Sequence, residues 1–306
     1  MVTLTVITPE SGYESAVIAA NPLAFYRLNE TNDPTTGPVS HDYWGGHNGV
    51  YGTATLAEFN GIQGPIPPDF LFEPTNAAIQ LSAIAGAWVT APIGSLSTNQ
   101  VTMCMWIKPT GPVDPFTGLL MNRNSGVGGG FGYANGAIGY TWNNNSGATW
   151  GFNSGIIPPT NVWSFVALVV DTNQATVFML NDFGASAATN VLAHNSDVFG
   201  NNWQIGRDNN ANADDGSRTF VGDIDEVAVF TYAMTPTQIQ NLYLAAGTLP
   251  VSLTIQSVGS SLVVTWPRGT LLEAPTLNGP WTTNSAPSPY TFTPTVAQKY
   301  FKARVK

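Results

Sequence analysis

The chain has 306 residues, 43% hydrophobic and 11% aromatic, with a net charge of −9 and only ten Lys and Arg. That apolar fraction supplies a sizeable core and excludes wholesale disorder, and the lack of any basic run excludes nucleic acid as an expected partner. No stretch reaches the roughly 18 apolar residues of a membrane span, so no membrane insertion is expected.

Charged residues are only 9% of the chain, against about a quarter in an average protein. Gly, Asn, Thr, Ser and Pro fill the polar positions instead, a surface that points to a secreted, extracellular or cell-surface setting. Cys104 is the only cysteine, so no intramolecular disulfide and no cysteine-based zinc site can form. It lies in the apolar run VTMCMWI and reads as a small core residue.

The first segment, VTLTVI (2–7), alternates as a strand. The opening MVTLTVITPESGY has no basic region followed by a long apolar core, so it does not read as a signal peptide. It resembles the closing strand of an immunoglobulin-like module followed by a linker, and such an orphan strand must pair in its own sheet or along a neighbour's edge. Ser15–Ala20, before Asn21-Pro22, predicts a short helix. Alternation then predicts strands in TMCMWIKP (102–109), WSFVALVVD (163–171) and ATVFML (175–180), with Trp106, Trp163, Phe165 and Phe178 facing the space between two sheets. Asn181-Asp182-Phe183-Gly184 has the composition of a hairpin turn.

Further along, DIDEVAVF (223–230) predicts another strand, and Thr235–Ala246 a helix capped by Thr235, opened by Pro236 and stopped by Gly247. Ile239, Leu242 and Tyr243 share one face of it. A boundary follows at residues 247–250. Beyond it come short strand-like runs such as SLVVTW (261–266) and KYFKARV (299–305), enough for a small sandwich. The expected organisation is an N-terminal strand and linker (1–12), a large β-sandwich (13–247) and a small C-terminal β domain (248–306).

Four segments, in order, carry a family resemblance. They are NPLAFYRLNET (21–31), SHDYWGGHNGVYG (40–52), VTMCMWIKP (101–109) with WSFVALVVDTNQATVFMLND (163–182), and WQIGRD (203–208) with FVGDIDEVAVFTYAMTPTQIQNLY (220–243). Together they resemble the bacterial laminin-G-like domains of the concanavalin-A-like lectin/glucanase superfamily. The fold implied is all-β, a jelly-roll β-sandwich followed by a small C-terminal β-sandwich. The tail, with VTWP, TLLEAPTLNGPW and KYFKARV, resembles small β modules that end large exported proteins of the Verrucomicrobia and Planctomycetes. It implies an extracellular, multi-modular parent.

Because the superfamily also contains glycanases and lyases, a catalytic carboxylate pair has to be sought. Strand-borne glycanases carry it at i and i+4 on one sheet face. Here Asp223 and Asp225 alternate correctly, but position 227 is Val227, and strict alternation sends Glu226 to the opposite face. Neither the loop histidines His41 and His47 nor His194 match a zinc spacing, and no G-x-S-x-G nucleophile elbow occurs. No catalysis is expected.

Calcium is the ion the resemblance implies. Asp42 matches the family's opening-loop Asp and Asp225 its closing-strand Asp, while Asp214 and Asp215 in NNANADDG (209–216) offer a second candidate. The plainer alternative is that these side chains make Asx turns and solvate loops. For a glycan, aromatic platforms beside amides are needed, and residues 128–155 supply Tyr133, Tyr140, Trp142, Asn144 and Trp150. Alternation there sends half of the aromatics to the core. Arg207 and Asp208 are expected to form a local ion pair.

Two functions remain from different classes. One is a secreted, non-catalytic adhesion or binding protein that recognises carbohydrate or another cell-surface or matrix ligand. The other is a structural subunit that self-associates into an extracellular filament through its N-terminal strand, and a divergent glycanase or lyase stands third.

Overall fold

The structure, a computed structural model, describes residues 8–53, 60–123, 128–210, 216–247, 253–266 and 269–304. The N-terminal strand expected at 2–7 lies outside the described residues, as do Asp214 and Asp215. Two compact units divide the chain: Met1–Ile66 with Phe72–Ala246, and Pro67–Leu71 with Gly247–Lys306.

In the larger unit the apolar alternation of the strands resolves into two antiparallel sheets. One has eight strands. It runs Gly184–Asn190, Gln174–Asn181, Ser164–Asp171, Val101–Pro109, Gly222–Phe230, Ala77–Leu81 and Ile62–Gln63, with Ala24–Tyr26 also paired to Gly222–Phe230. The other has seven, in the order Ala137–Thr141, Gly130–Ala134, Gly118–Met121, Trp203–Ile205, Val89–Ala91, Gly49–Tyr51 and Val39–Ser40. Neighbours far apart in sequence, such as Val101–Pro109 against Gly222–Phe230, are the crossings of a jelly-roll sandwich.

The core between the sheets takes Met103, Met105 and Ile107 from one central strand and Val166, Leu168 and Val170 from the next. The seven-stranded sheet adds Leu120, Phe131, Ile138, Tyr140, Trp142, Trp203 and Ile205. This corrects one expectation. Trp106, Phe165 and Phe178 alternate with those core residues and so sit on the other face of the eight-stranded sheet. The fourth aromatic, Trp163, stands just outside the strand with the Lys108 ammonium 5.1 Å from its ring centroid.

What lies over Trp106 explains why both faces of its strand are apolar. Helix α1 (Gly12–Ala19) and helix α2 (Pro236–Ala245) pack against each other on that side. Tyr13 of α1 and Tyr243 of α2 meet the Trp106 ring at centroid distances of 6.1 and 5.7 Å, with Phe72 and Phe165 beside it. A Cβ at Gly12 would lie 2.9 Å from the Ala245 carbonyl oxygen, so glycine permits the close approach of the helices. Helix α1 begins three residues before the expected Ser15. Ser11 caps it in a capping box, taking a hydrogen bond from Glu14 N at 3.2 Å while the Glu14 carboxylate accepts from Ser11 N. Thr235 and Gln238 form the same device at the start of α2.

The smaller unit has two three-stranded antiparallel sheets. Thr254–Val258, Ser261–Thr265 and Tyr290–Phe292 make one; Thr282–Asn284, Thr270–Ala274 and Tyr300–Arg304 make the other. Val264, Trp266 and Leu271 form its buried centre, with Tyr290, Phe292 and Phe301 packed against it.

Candidate functional site

Two places in the larger unit gather chemistry-bearing side chains. They lie on the two outer faces of the sandwich.

On the helix-covered face, Ala24 and Tyr26 point into the core, so Arg27 points outward beneath α1. Its guanidinium pairs with Glu14 and Glu73, reaches Glu10 at 3.0 Å and lies 3.4 Å from Glu226 Oε1. The Arg27, Glu14 and Glu226 side chains are buried. Glu226 arrives there through a β-bulge between Asp225 and Ala228, where it adopts φ 55°. The bulge corrects the strict alternation expected of GDIDEVAVF: Glu226 is the extra residue and lies on the Arg27 side. Its neighbour Asp225 accepts a hydrogen bond from Asn76 Nδ2 at 2.7 Å. Burial pushes both the Asp225 and the Glu226 carboxyl well above the usual carboxylate range, and for Glu226 the Asp225 charge adds to the effect. Asp223 pairs with Lys108 at 2.6 Å and also accepts from Gln80 at 3.2 Å.

Of the expected calcium ligands, Asp42 and Asp225 fall among the described residues, and each is engaged by groups of the protein. Asp42 Oδ1 accepts from Phe25 N, Trp44 N and Gly45 N at 2.9, 3.1 and 3.0 Å, and Oδ2 from His47 N and Nδ1 at 2.9 and 3.0 Å. Oxygens surrounded by N–H donors have no lone pairs left for a cation, so Asp42 does not fit as a calcium ligand. It organises the loop 42–48 as an Asx cage. Gly45 is required there, since a Cβ would lie 2.2 Å from the Leu23 carbonyl oxygen. Asp225 has a separate partner in Asn76, and no group of three or more His, Cys, Asp or Glu able to hold a metal ion occurs among the described residues. Cys104 is buried, and burial pushes its thiol up to about 12.

The expected glycan aromatics separate sharply. Tyr133, Tyr140 and Trp142 belong to the core between the sheets, so none presents a ring face to a ligand. Their rings complete strands whose two faces are both covered, and the polar tips of two are used internally. Tyr140 Oη lies 2.9 Å from His194 Nε2, and Trp142 Nε1 donates to the Asn195 carbonyl at 2.8 Å. His194 is buried, and that burial lowers its pKa below the ordinary histidine value. Asn144 falls in a short 3₁₀ turn, Asn143–Asn145.

Trp150 is different. It ends a short helix, Ser146–Trp150, and is 44% exposed. Its ring meets Phe116 edge-on at 6.0 Å, and the Arg218 guanidinium lies 5.4 Å from the Phe116 centroid. Arg218 reaches Asp208 at 3.0 Å, and Arg123 grips the same carboxylate through Nε at 3.0 Å and Nη2 at 3.1 Å. Nearby in the sheet, Gln204 and Trp88 alternate with core residues and therefore face outward. Arg207 lies 3.9 Å over the Trp88 ring and donates to Gln204 Oε1 at 3.2 Å. The expected Arg207–Asp208 ion pair is thus replaced by Asp208 with Arg123 and Arg218.

Sequence reading missed Trp88, Phe116, Arg123 and Arg218. The available signal was scarcity: in a chain with ten cationic residues, three arginines converge on this face. The arrangement offers an exposed ring and two partly exposed arginines, held in place by the buried Asp208 carboxylate. That set suits a ligand with both apolar faces and hydroxyl groups. It contains no nucleophile with an adjacent base.

Comparison with known proteins decides the family. A laminin G family model, described as the concanavalin A-like lectin/glucanases superfamily, matches residues 84–240, just over half of the 306 residues. The chain belongs to this family. The matched span contains Trp88, Phe116, Arg123, Trp150, Arg207, Asp208 and Arg218, and also Asp225 and Glu226. No curated protein matches the sequence. Among solved structures, domain 4 of an extracellular arabinanase from Geobacillus stearothermophilus, in complex with arabinotriose, is 17% identical over 72% of this chain and 97% of that one, with a TM-score of 0.47. The binding domain of botulinum neurotoxin serotype G is 12% identical over 82% of this chain and 62% of that one, TM-score 0.42. Trypanosoma rangeli sialidase with the inhibitor DANA is 12% identical over 72% of this chain and 32% of that one, TM-score 0.42. These are distant likenesses, and no ligand or activity is taken from them.

Proposed function

We propose that this chain is a non-catalytic carbohydrate-binding protein working outside the cell, and that Trp150 is its ligand platform. The observation that carries the reading is the exposed Trp150 ring beside Phe116, continuous with the Arg218–Asp208–Arg123 network. An indole takes the apolar face of a sugar ring, while arginine and amide groups take its hydroxyls. Asn135, which donates to the Trp150 carbonyl at 3.4 Å, is one such amide at hand. Membership of a lectin and glucanase superfamily supports a sugar as the ligand class, although one fold hosts many roles.

The absence of turnover belongs to the same reading. Asp225 and Glu226 are buried under α1 and committed to Asn76 and Arg27, which keeps them from a substrate. A surface solvated by amides and hydroxyls, with 9% charged residues, supports the extracellular setting. Screening the chain on a broad glycan array, with Trp150→Ala alongside, tests the proposal. Retention of one glycan class by the native chain and its loss in the variant is expected. Binding to no glycan, or equal binding by both proteins, contradicts it.

A further inference from the structure

The edge of the eight-stranded sheet at Gly184–Asn190 has features that the ligand face does not account for. This strand is in register with Gln174–Asn181 along its whole length and, among the described residues, has no strand on its other side. Natural edges are blunted by charge, proline, bulges or a covering segment. In the seven-stranded sheet the edge strand Ala137–Thr141 is covered: Ile138 N donates to the Ile156 carbonyl at 2.9 Å, and Ser154 Oγ donates to the Ile138 carbonyl at 2.6 Å. Gly184–Asn190, GASAATN, carries no charge, proline or bulge, and only Asn190 at its end is tied down, its Nδ2 donating to Tyr140 Oη and the Ala148 carbonyl. No Asp, Glu, Lys or Arg occurs between Asp182 and Asp197. At its two ends stand Phe183, 67% exposed, and Val191, 81% exposed and the most exposed large hydrophobic among the described residues.

We propose that this edge pairs with the same edge of a second copy, antiparallel about a two-fold axis at Ala187, to join two eight-stranded sheets into one. Two arguments select a second copy as the occupant. A chain of net charge −9 repels itself, and this uncharged stretch is where two copies approach without opposing carboxylates. The stretch is also self-complementary. A two-fold axis at Ala187 sets Gly184 against Asn190 and Ala185 against Thr189, and brings the exposed Phe183 of each copy to the exposed Val191 of the other. Residues 183, 185, 187, 189 and 191 share one face by alternation. The small side chains between the two apolar ends leave the backbones free to meet, and such an isologous contact closes on itself as a dimer.

Cross-linking the full chain tests the register directly. Paired residues in an antiparallel ladder have Cα atoms about 4.5–5.5 Å apart, within disulfide reach, whereas residues four positions out of register do not. Under mild oxidation Ala187→Cys is expected to give a covalent dimer and Ala185→Cys none, with buried Cys104 unreactive. In sedimentation velocity over a concentration series the native chain is expected to dimerise. Ala187→Lys, which opposes two ammonium groups at the axis, is expected to raise the dissociation constant at least tenfold with an unchanged melting temperature. A monomer at every concentration overturns the proposal, and so does a dimer that Ala187→Cys fails to link. Loss of the dimer on deleting residues 2–7, with Ala187→Cys unlinked, overturns it in favour of strand donation by the N-terminus.

Discussion

The two outer faces of the sandwich are built from the same kinds of residue to opposite ends. Each has arginine beside carboxylates and aromatic rings. On the eight-stranded sheet two helices close over them: Arg27 is buried with Glu14 and Glu226, and Trp106 is sealed under Tyr13 and Tyr243. On the seven-stranded sheet Asp208 and Arg207 are buried as well, but Arg123 and Arg218 stay partly exposed and Trp150 is exposed. Complete burial makes a charged cluster a lock on the fold, whereas on the other face a buried carboxylate holds partly exposed cations and an exposed ring where a ligand can reach them.

Removing the lock gives the largest expected effect. Arg27→Ala leaves several carboxylates without their cation in a buried site, and a loss of about 3–5 kcal/mol is expected in urea denaturation. Trp142→Ala, in the core, is expected to cost a similar amount, about 3–5 kcal/mol. Trp150→Ala, by contrast, should change stability by no more than about 0.5 kcal/mol. Equal destabilisation by Trp142→Ala and Trp150→Ala would erase the distinction between core aromatic and platform.

Titration separates the buried acid cluster from the buried His194 beside the core, because the two respond to pH with opposite sign. Asp225 and Glu226 have raised pKa values in the fold, so above the ordinary carboxylate range the folded state holds more protons than the unfolded one. Their contribution to stability therefore declines as pH rises through that window. His194 has a lowered pKa, so the unfolded state takes up its proton first, and stability declines as pH falls through the ordinary histidine value of 6.5. Melting temperatures from pH 4 to 9, a range of about five units around these values, should show Asp225→Asn flattening the alkaline decline. His194→Gln should flatten the decline on the acidic side. A variant that leaves its own limb unchanged would show that its group does not titrate with folding.

Strand positions and the closing helix were legible because alternation, Thr235-Pro236 and Gly247 are local signals. The face assignment of Trp106 was not. Every residue of Val101–Pro109 except Lys108 is buried, so period-two alternation carries no phase information once helices cover the second face. Position 226 was illegible for another reason: a bulge there places a glutamate, not a glycine, at positive φ, and nothing in DIDEV announces it. The start of α1 was present in Ser11-Gly-Tyr-Glu14, a capping box that the later Asn21-Pro22 stop signal overshadowed. For the candidate site, composition singles out the aromatic-rich segment 128–155, but only exposure separates Trp150 from Trp142. Arg123 lies far in sequence from Asp208 and Arg218, and it meets them only through the fold.

The central claim is that ligand recognition belongs to the open face and the acid cluster to the fold. Titrating one glycan retained on the array into native chain, Trp150→Ala and Asp225→Asn by calorimetry tests it most directly. Trp150→Ala is expected to lose at least tenfold in affinity while Asp225→Asn binds as the native chain does. Loss of binding in Asp225→Asn with Trp150→Ala unaffected would contradict it and move the ligand to the helix-covered face.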